Sequence, residues 1–597
     1  MKIAIDLIKS IKIRNLVLAT ASLLLSLAIY YLPMNSAETQ SLAKQHDSLL
    51  SDPFLQLPTE NSVNVVWFTE FAGDRHLVRF GEKLEHQVAA TTTKLSRVRE
   101  DKDSQIDNPP SQIESRDIWR HEATIEDLTP NRRVPYQVES TQQKQTITSN
   151  VYTLASNPTP EKPLKILLTS DHQLMPMTAA NLEKVVATVG RVDAVFLPGD
   201  LVNVPDRASE WFDDRQGGSF FPSLQGLASY ELERNGVKTI YRGGEIIQHA
   251  PLFTAIGNHE VMGRTSEPTL KQEFSQPIPR QVAAEFYQQV ADRTNPTRDT
   301  RIKQDWVKNN SFNTDTYREI FSLPKSNTGG KSYYATTFGN IRLISLYVTN
   351  IWRIPGLEAG DRGRYKESSD NLGNSYDWGY GQHIFEPIAP GSQQYRWLQQ
   401  ELNSPAYQEA KYKIVMLHHP PHTLGGNIVP AYTDPQPKPS YTEGGQLRSL
   451  YYDYPIEDDY IIRDLIPLLE SAGVQLVYYG HSHLWNRFKS DLGMHFLESS
   501  NVGNSYGAHT KDNPRPIPSY SPANYVAVGN PNGLEPIVPN IAPLIDKTGQ
   551  PMPYIASNDI TVFSIFNTET GTIVSYRYDT RKPNSDVVKF DEFKLNL

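Results

Sequence analysis

Five apolar runs in this chain stop abruptly at polar residues of the kind that bind metal ions or anions. No other feature limits the fold so tightly. The runs are ILLTSD (166–171), AVFLPGD (194–200), LFTAIGNHE (252–260), YKIVMLHHPPH (412–422) and VQLVYYGHSH (474–483). Short continuous apolar runs read as buried strands, and an open α/β sheet delivers the carboxyl ends of its parallel strands into one crevice. The segment ANLEKVVATVG (180–190) reads as a helix between the first two runs, so 166–200 is a βαβ unit. The crevice would then collect Asp171, Asp200, Asn258, His418, His481 and His483. Carboxylate, amide and imidazole donors together suit a metal centre.

With 597 residues, the chain is long enough for two or three domains. A net charge of −9, with no cluster of Lys and Arg, argues against a stable nucleic-acid complex. The absence of cysteine excludes disulfides, thiolate metal sites and cysteine nucleophiles.

Lys2, Lys9, Lys12 and Arg14 precede the apolar stretch 16–32, so residues 1–37 are expected to be a signal peptide or a retained membrane anchor. Either one places the rest of the chain outside the cytoplasm, in a periplasmic or extracellular location, with N-terminal anchoring left open. Residues 38–61 read as a polar tether. Residues 62–158 then carry short strands at antiparallel spacing, VNVVWFTEF (63–71) among them, and predict a small β-sandwich. A catalytic domain is expected over 164–580, with insertions at 201–251, 264–316 and 353–390 and a C-terminal tail at 581–597. GLASYELERNG (226–236) reads as a short helix ended by Gly236, and 391–404 and 462–473 as amphipathic helices.

The set Asp171, Gly199-Asp200, Gly257-Asn258-His259-Glu260, His418 and Gly480-His481-Ser482-His483 resembles the calcineurin-like metallophosphoesterase superfamily. VVWFT (65–69), ATIEDLTP (123–130), IFSLP (320–324), SYYATTFGN (332–340) and QYRWLQQEL (394–402) extend the resemblance toward its purple acid phosphatase branch. The resemblance implies an α/β metallophosphoesterase fold of two packed mixed β-sheets flanked by helices, preceded by a fibronectin-III-like β-sandwich. It also implies a pair of metal ions (Fe, Mn or Zn) and hydrolysis of a phosphoester by a metal-activated water or hydroxide. On this reading one ion takes Asp171, Asp200, His483 and a ligand from position 173. The other takes Asp200, Asn258, His418 and His481. His259 is the candidate for holding the phosphoryl group or protonating the leaving oxygen, and Glu260 for orienting His259. His419, next to His418, is the alternative ligand.

This chain departs from the family pattern at two positions. Asn203 stands where the purple enzymes carry a tyrosine, which argues against an iron–tyrosinate centre. Asp171-His172-Gln173 replaces the usual Asp-x-His. Residues 171 and 173 share a side of an extended chain, so Gln173 is expected to ligate or to order a ligating water. His172 is then expected behind the ligands or on the substrate. Arg242, Arg264 and Arg353 flank the expected crevice and read as solvated surface charges, with a grip on phosphate as the alternative. The function that follows is an exported, acid phosphatase-like hydrolase of phosphomonoesters. The alternatives are a phosphodiesterase acting on a lipid, nucleotide or polymer, and a non-catalytic binding protein of the same fold. Oligomeric state cannot be read from the sequence.

Overall fold

The computed structural model describes residues 48–265, 269–354, 356–357 and 363–596. The signal or anchor expected at 1–37, and the first part of the expected tether, lie outside the described residues. Among the described residues no helix is long and apolar enough to cross a membrane.

The strand Val63–Thr69 shows why the N-terminal sandwich and the catalytic part are one body. It is apolar on both faces, and a strand sends alternate side chains to opposite sides. Val63, Val65 and Trp67 enter the sandwich core with Val78, Tyr136 and Val138. Val66 and Phe68 point the other way, into the core of the catalytic domain, where Phe68 packs edge-on against Phe212 at 5.0 Å. Phe54–Gln56 pairs antiparallel with this strand, Phe54 opposite Val66. The stretch expected to be a tether therefore includes a sandwich strand, because Phe54 and Leu55 alternate between the same two cores. Two antiparallel sheets make up the sandwich. Tyr136 OH donates to the Gln248 carbonyl (2.8 Å) and Leu55 N–H to the Ile247 carbonyl (3.0 Å), tying the sandwich to the next domain. Both domains belong to one compact unit, Ser48–Leu597.

Two mixed sheets form the catalytic core. In the first, Lys165–Leu168 runs parallel to Ala194–Leu197, which runs parallel to Leu252–Thr254. On its other side Lys165–Leu168 pairs antiparallel with Ile560–Asn567, near the far end of the chain. The second sheet holds Ile341–Ser345, Tyr412–Met416 and Leu476–Tyr479 as parallel neighbours, followed by His495–Ser499. Four of the five strands that end at candidate ligands are interior, Leu252–Thr254 is the edge of the first sheet, and the two sheets share one core. Helices Thr178–Val189 and Gln393–Leu402 are among those packed on the sheets. The expected architecture is present: a β-sandwich followed by a mixed-sheet metallophosphoesterase core.

Two local expectations fail. The segment 226–236 is not a helix. Tyr230–Arg234 and Val237–Tyr241 form a hairpin across Asn235-Gly236, both at positive φ (52° and 75°). Asn-Gly is the strongest short hairpin signal, and here it overrides the amphipathic pattern upstream. The tail beyond 580 is not loose either, because Val588–Lys594 pairs with Thr572–Asp579 and completes the first sheet.

The sandwich buries a pair of histidines, His76 and His121, with ring centroids 3.6 Å apart. His121 is held by the Thr69 and Thr92 hydroxyls (2.8 and 3.0 Å). Burial, with the neighbouring His76 adding to it, pushes His121 down to about 2, and burial lowers His76 as well. Below about pH 6.5 the unfolded chain takes up protons that these folded rings refuse, so stability is full above that pH and falls as pH drops. Urea unfolding at about pH 7.5 and about pH 5.5 should show a loss of roughly 1–3 kcal/mol at the lower pH, with proton uptake on unfolding. His121→Gln should flatten that dependence. A protein more stable at the lower pH would contradict the account.

Candidate metal centre

Three of the five ligand-bearing strands stop where the chain turns through left-handed residues. Asp171, Gln173, Asp200, His481 and His483 have φ of 57°, 37°, 54°, 83° and 53°. The left-handed region costs a residue with a side chain about 1–2 kcal/mol, so five such residues around one point mark a built site. Glycines make room for the carboxylates. A Cβ on Gly257 would lie 2.3 Å from Asp200 Oδ1, and one on Gly480 would lie 2.1 Å from Asp171 Oδ2.

Hydrogen bonds hold the turns against that strain. His481 N–H donates to both oxygens of Asp171 (2.9 and 3.1 Å), and His259 N–H donates to Asp200 Oδ1 (2.9 Å). The His418 Nδ1–H donates to the Pro198 carbonyl (2.8 Å), which leaves Nε2 facing Asp200 Oδ2 at 3.1 Å. In the same way His483 Nδ1 is bonded to the Asn504 carbonyl (3.0 Å), and its Nε2 stands 3.4 Å from Asp171 Oδ1. Asn258 Oδ1 lies 3.2 Å from His418 Nε2.

Two buried ligand triads result, Asp200–His418–His481 and Asp171–Asp200–His483, with ligand atoms within 4.8 Å of one another in each. Asp200 belongs to both. The residues fit two metal ions on a further ground. His481 Nε2 and Gln173 Oε1 are buried beside this carboxylate without a hydrogen-bond partner, a state that costs free energy unless a cation or water takes it up. Burial alone would raise the Asp200 carboxyl, yet the His418 imidazole outweighs it and holds Asp200 down at about 2. His418 is lifted to about 9 against its own burial, chiefly by Asp200. Burial and then the His418 charge drive His481 well below its usual value.

Position 173 turns inward and position 172 does not. Gln173 Nε2 donates to Asp200 Oδ2 (3.2 Å), and Gln173 lines the cavity. Of the two places expected for His172, behind the ligands or on the substrate, its position matches the first. It is buried outside the cavity lining, with Nε2 on the Thr169 hydroxyl (3.0 Å) and its ring near Phe220. His419 joins neither triad and packs against Tyr432. His259 faces the cavity, stacked on Phe274, with Nδ1 bonded to the Asn203 carbonyl (2.7 Å). Glu260 does not orient His259, as had been expected from its adjacency. Its carboxylate instead accepts the N–H groups of Asp200 (2.9 Å), Leu201 (2.8 Å) and Gly257 (2.7 Å), clamping two strand ends together.

The ligands open into a cavity of about 350 Å³. Arg242, Arg264 and Arg353 do not line it. Arg264 and Arg353 are buried, and their guanidinium groups donate to carbonyls of Tyr376 and of Pro277, Gly379 and Gly381. Arg207 and Lys271 line it instead, with Trp352, Asn427 and Tyr506. Arg207 and Lys271 come from the insertions at 201–251 and 264–316, and Trp352, Asn427 and Tyr506 from loops outside the insertions; none of these segments is periodic, so no sequence pattern marked them.

A family model described as calcineurin-like phosphoesterase matches residues 164–484, more than half of the chain. The chain belongs to this family. It is a metal-dependent phosphoesterase by fold and by ligand set. A second model, the purple acid phosphatase N-terminal domain, matches residues 51–156. No curated protein matches the sequence. Among solved structures, a purple acid phosphatase from yellow lupin (Lupinus luteus) seeds is 14% identical, with 91% of this chain and 73% of that one covered and a TM-score of 0.48. GAP50, described as the anchor in the inner membrane complex of Plasmodium, is 11% identical, covering 73% of this chain and 90% of its own, with a TM-score of 0.31.

Glu260→Gln tests the clamp. The amide must turn one N–H donor toward backbone donors, so about 2–4 kcal/mol of stability should be lost, as expected for a broken buried network. Metal content should fall although every ligand is still present. Thermal unfolding and metal analysis that both match the parent protein would show that the clamp is dispensable.

Proposed function

We propose that this phosphoesterase hydrolyses phosphomonoesters outside the cytoplasm. The observation that carries the catalytic part is the pair of ligand triads sharing Asp200 at the floor of an open cavity. Asp171, Asp200, His483 and Gln173 would hold one ion, and Asp200, Asn258, His418 and His481 the other. When bound, such ions supply Lewis acidity toward the phosphoryl oxygens and an activated water as nucleophile.

The protein's own groups do the rest. His259 presents its ring to the cavity with Nδ1 fixed by the Asn203 carbonyl, so Nε2 is the atom that meets the substrate. Burial lowers His259, and the charge of Asp200 raises it. A bound anionic phosphoester adds negative charge beside the ring and favours its protonated form, the one able to donate to a leaving oxygen. Lys271 also lines the cavity, and among the described residues no carboxylate is paired with it. An unneutralised cation there favours the dianionic monoester over the monoanionic diester. Asn203 offers only its amide, donating to the Gln173 carbonyl (2.7 Å), so a coloured iron–tyrosinate centre has no ligand at that position.

The location outside the cytoplasm is supported by the basic start and the apolar stretch 16–32, and the lack of cysteine is compatible with it. Fractionation of the source cells with the chain recovered in the cytosol would rule it out.

Metal analysis of the purified chain, with a panel of mono- and diesters, tests the reading as a whole. Two ions per chain and faster turnover of monoesters are expected. No turnover of either class by the metal-loaded chain would overturn it. Asp200→Asn should abolish turnover and reduce metal content, because a neutral amide cannot offset two cations; retention of both ions and most of the rate would place the bridge elsewhere. His259→Ala should keep the metals and slow turnover by roughly 10²–10⁴-fold. That loss should shrink for esters with good leaving groups, and a uniform loss would remove His259 from the proton-transfer role.

A further inference from the structure

Two aromatic rings stand at the mouth of the cavity without being packed away. Trp352 is 37% exposed and Tyr506 is 52% exposed, and both line the cavity that the metal ligands open into. They are not loose. The Trp352 indole N–H donates to Asn427 Oδ1 (3.2 Å), and the Asn427 amide donates to the His481 carbonyl (2.8 Å). Asn504 donates through its amide to the Tyr506 hydroxyl (3.2 Å), while its carbonyl accepts from His483 Nδ1. Each ring is thereby tied, through one asparagine, to the loop of a metal ligand.

Their planes are aligned as well. Tyr506 stacks on His483 with centroids 5.4 Å apart and planes at 24°. Trp352 lies beyond it, centroid to centroid 6.4 Å, with planes at 17°. Phe274 contributes another cavity-lining ring, stacked on His259 at 4.7 Å. A phosphate alone does not need a cavity of about 350 Å³, which falls in the ~300–1,000 Å³ range of sites for small organic ligands. Aromatic faces fixed in advance cost a ligand little ordering and reward a second flat ring beyond simple area burial.

We infer that this cavity selects phosphoesters whose alcohol carries a flat aromatic or heteroaromatic ring, a reading that rests on the phosphoesterase function proposed above. Stacking on the Trp352–Tyr506 wall sets the ring, and the phosphoryl group then reaches the ligand floor beside His259. Preference for flatness separates this from a greasy lipid site, which would take any apolar group of the same size.

The test compares 2-phenylethyl phosphate with 2-cyclohexylethyl phosphate on the metal-loaded full chain. The two have the same carbon skeleton and alcohols of similar acidity, so leaving-group chemistry does not enter. The phenyl ester should be favoured in kcat/KM by roughly 10-fold, the scale of a good aromatic contact. Trp352→Ala and Tyr506→Ala should bring the ratio toward unity, while Trp352→Phe should keep most of it. Equal rates for the two esters, or a ratio that survives both alanine variants, would overturn the inference. Calorimetry with phenylphosphonate and cyclohexylphosphonate gives a readout without turnover. Tighter binding of the phenyl compound, lost in Trp352→Ala, supports ring selection even if no ester is hydrolysed, an outcome that would sink the hydrolase reading alone. Equal affinities would sink ring selection.

Discussion

Two carboxylates, Asp171 and Asp200, are buried within reach of the same imidazoles, and most of the catalytic domain serves to keep them there. Charges taken out of water are costly unless opposite charge and hydrogen bonds replace the solvent. Here the hydrogen bonds come from backbone N–H groups of other strand ends: His481 to Asp171, and His259 to Asp200. His418 stands 3.1 Å from Asp200 Oδ2, and Asp200 and Asp171 both shift its imidazole toward the charged form; the remaining opposite charge is what metal ions would supply. The left-handed turns, the glycines pressed against carboxylate oxygens and the Glu260 clamp all follow from bringing these donors to one point.

The same logic reaches into the N-terminal sandwich. Its buried Asp101 accepts both hydrogen bonds of Arg207 Nη2 (3.1 and 2.9 Å) and the N–H of Leu270 (2.9 Å). Arg207 and Lys271, the residue after Leu270, are the cations of the cavity wall. Arg99 pairs with both Asp206 and Glu273 (2.6 Å each) beside them. The sandwich thus braces the cavity wall from behind without lining it, through Asp101 and Arg99.

What could be read in advance was whatever repeats with the period of a strand or sits at its end. Asp200, Asn258, His418 and the His481/His483 pair belong to that class, because an apolar run that stops at a ligand marks its own boundary. Gln173 was placed by strand alternation, although the strand ends at Leu168 and the inward turn is made by left-handed residues. Glu260 was misread because its partners are backbone N–H groups, which carry no sequence signature. Arg207, Lys271, Trp352 and Tyr506 were out of reach for another reason. Their positions depend on how insertions and long loops pack, and nothing periodic in those segments reports it. The hairpin at 230–241 was legible in Asn235-Gly236 and lost only to a stronger-looking helical pattern.

The strand that leads to Asp171 has one neighbour close by in sequence and the other, Ile560–Asn567, almost at the end of the chain. On a ribosome, therefore, the edge of Lys165–Leu168 is open while residues 169–559 are made. Ile560–Asn567 is what covers it, and Thr572–Asp579 and Val588–Lys594 extend the sheet beyond. A chain released early would expose an apolar sheet edge beside a half-formed carboxylate pair, an invitation to pair with the wrong strand. Assembly of the centre is in this sense timed by a strand synthesised after every one of its ligands.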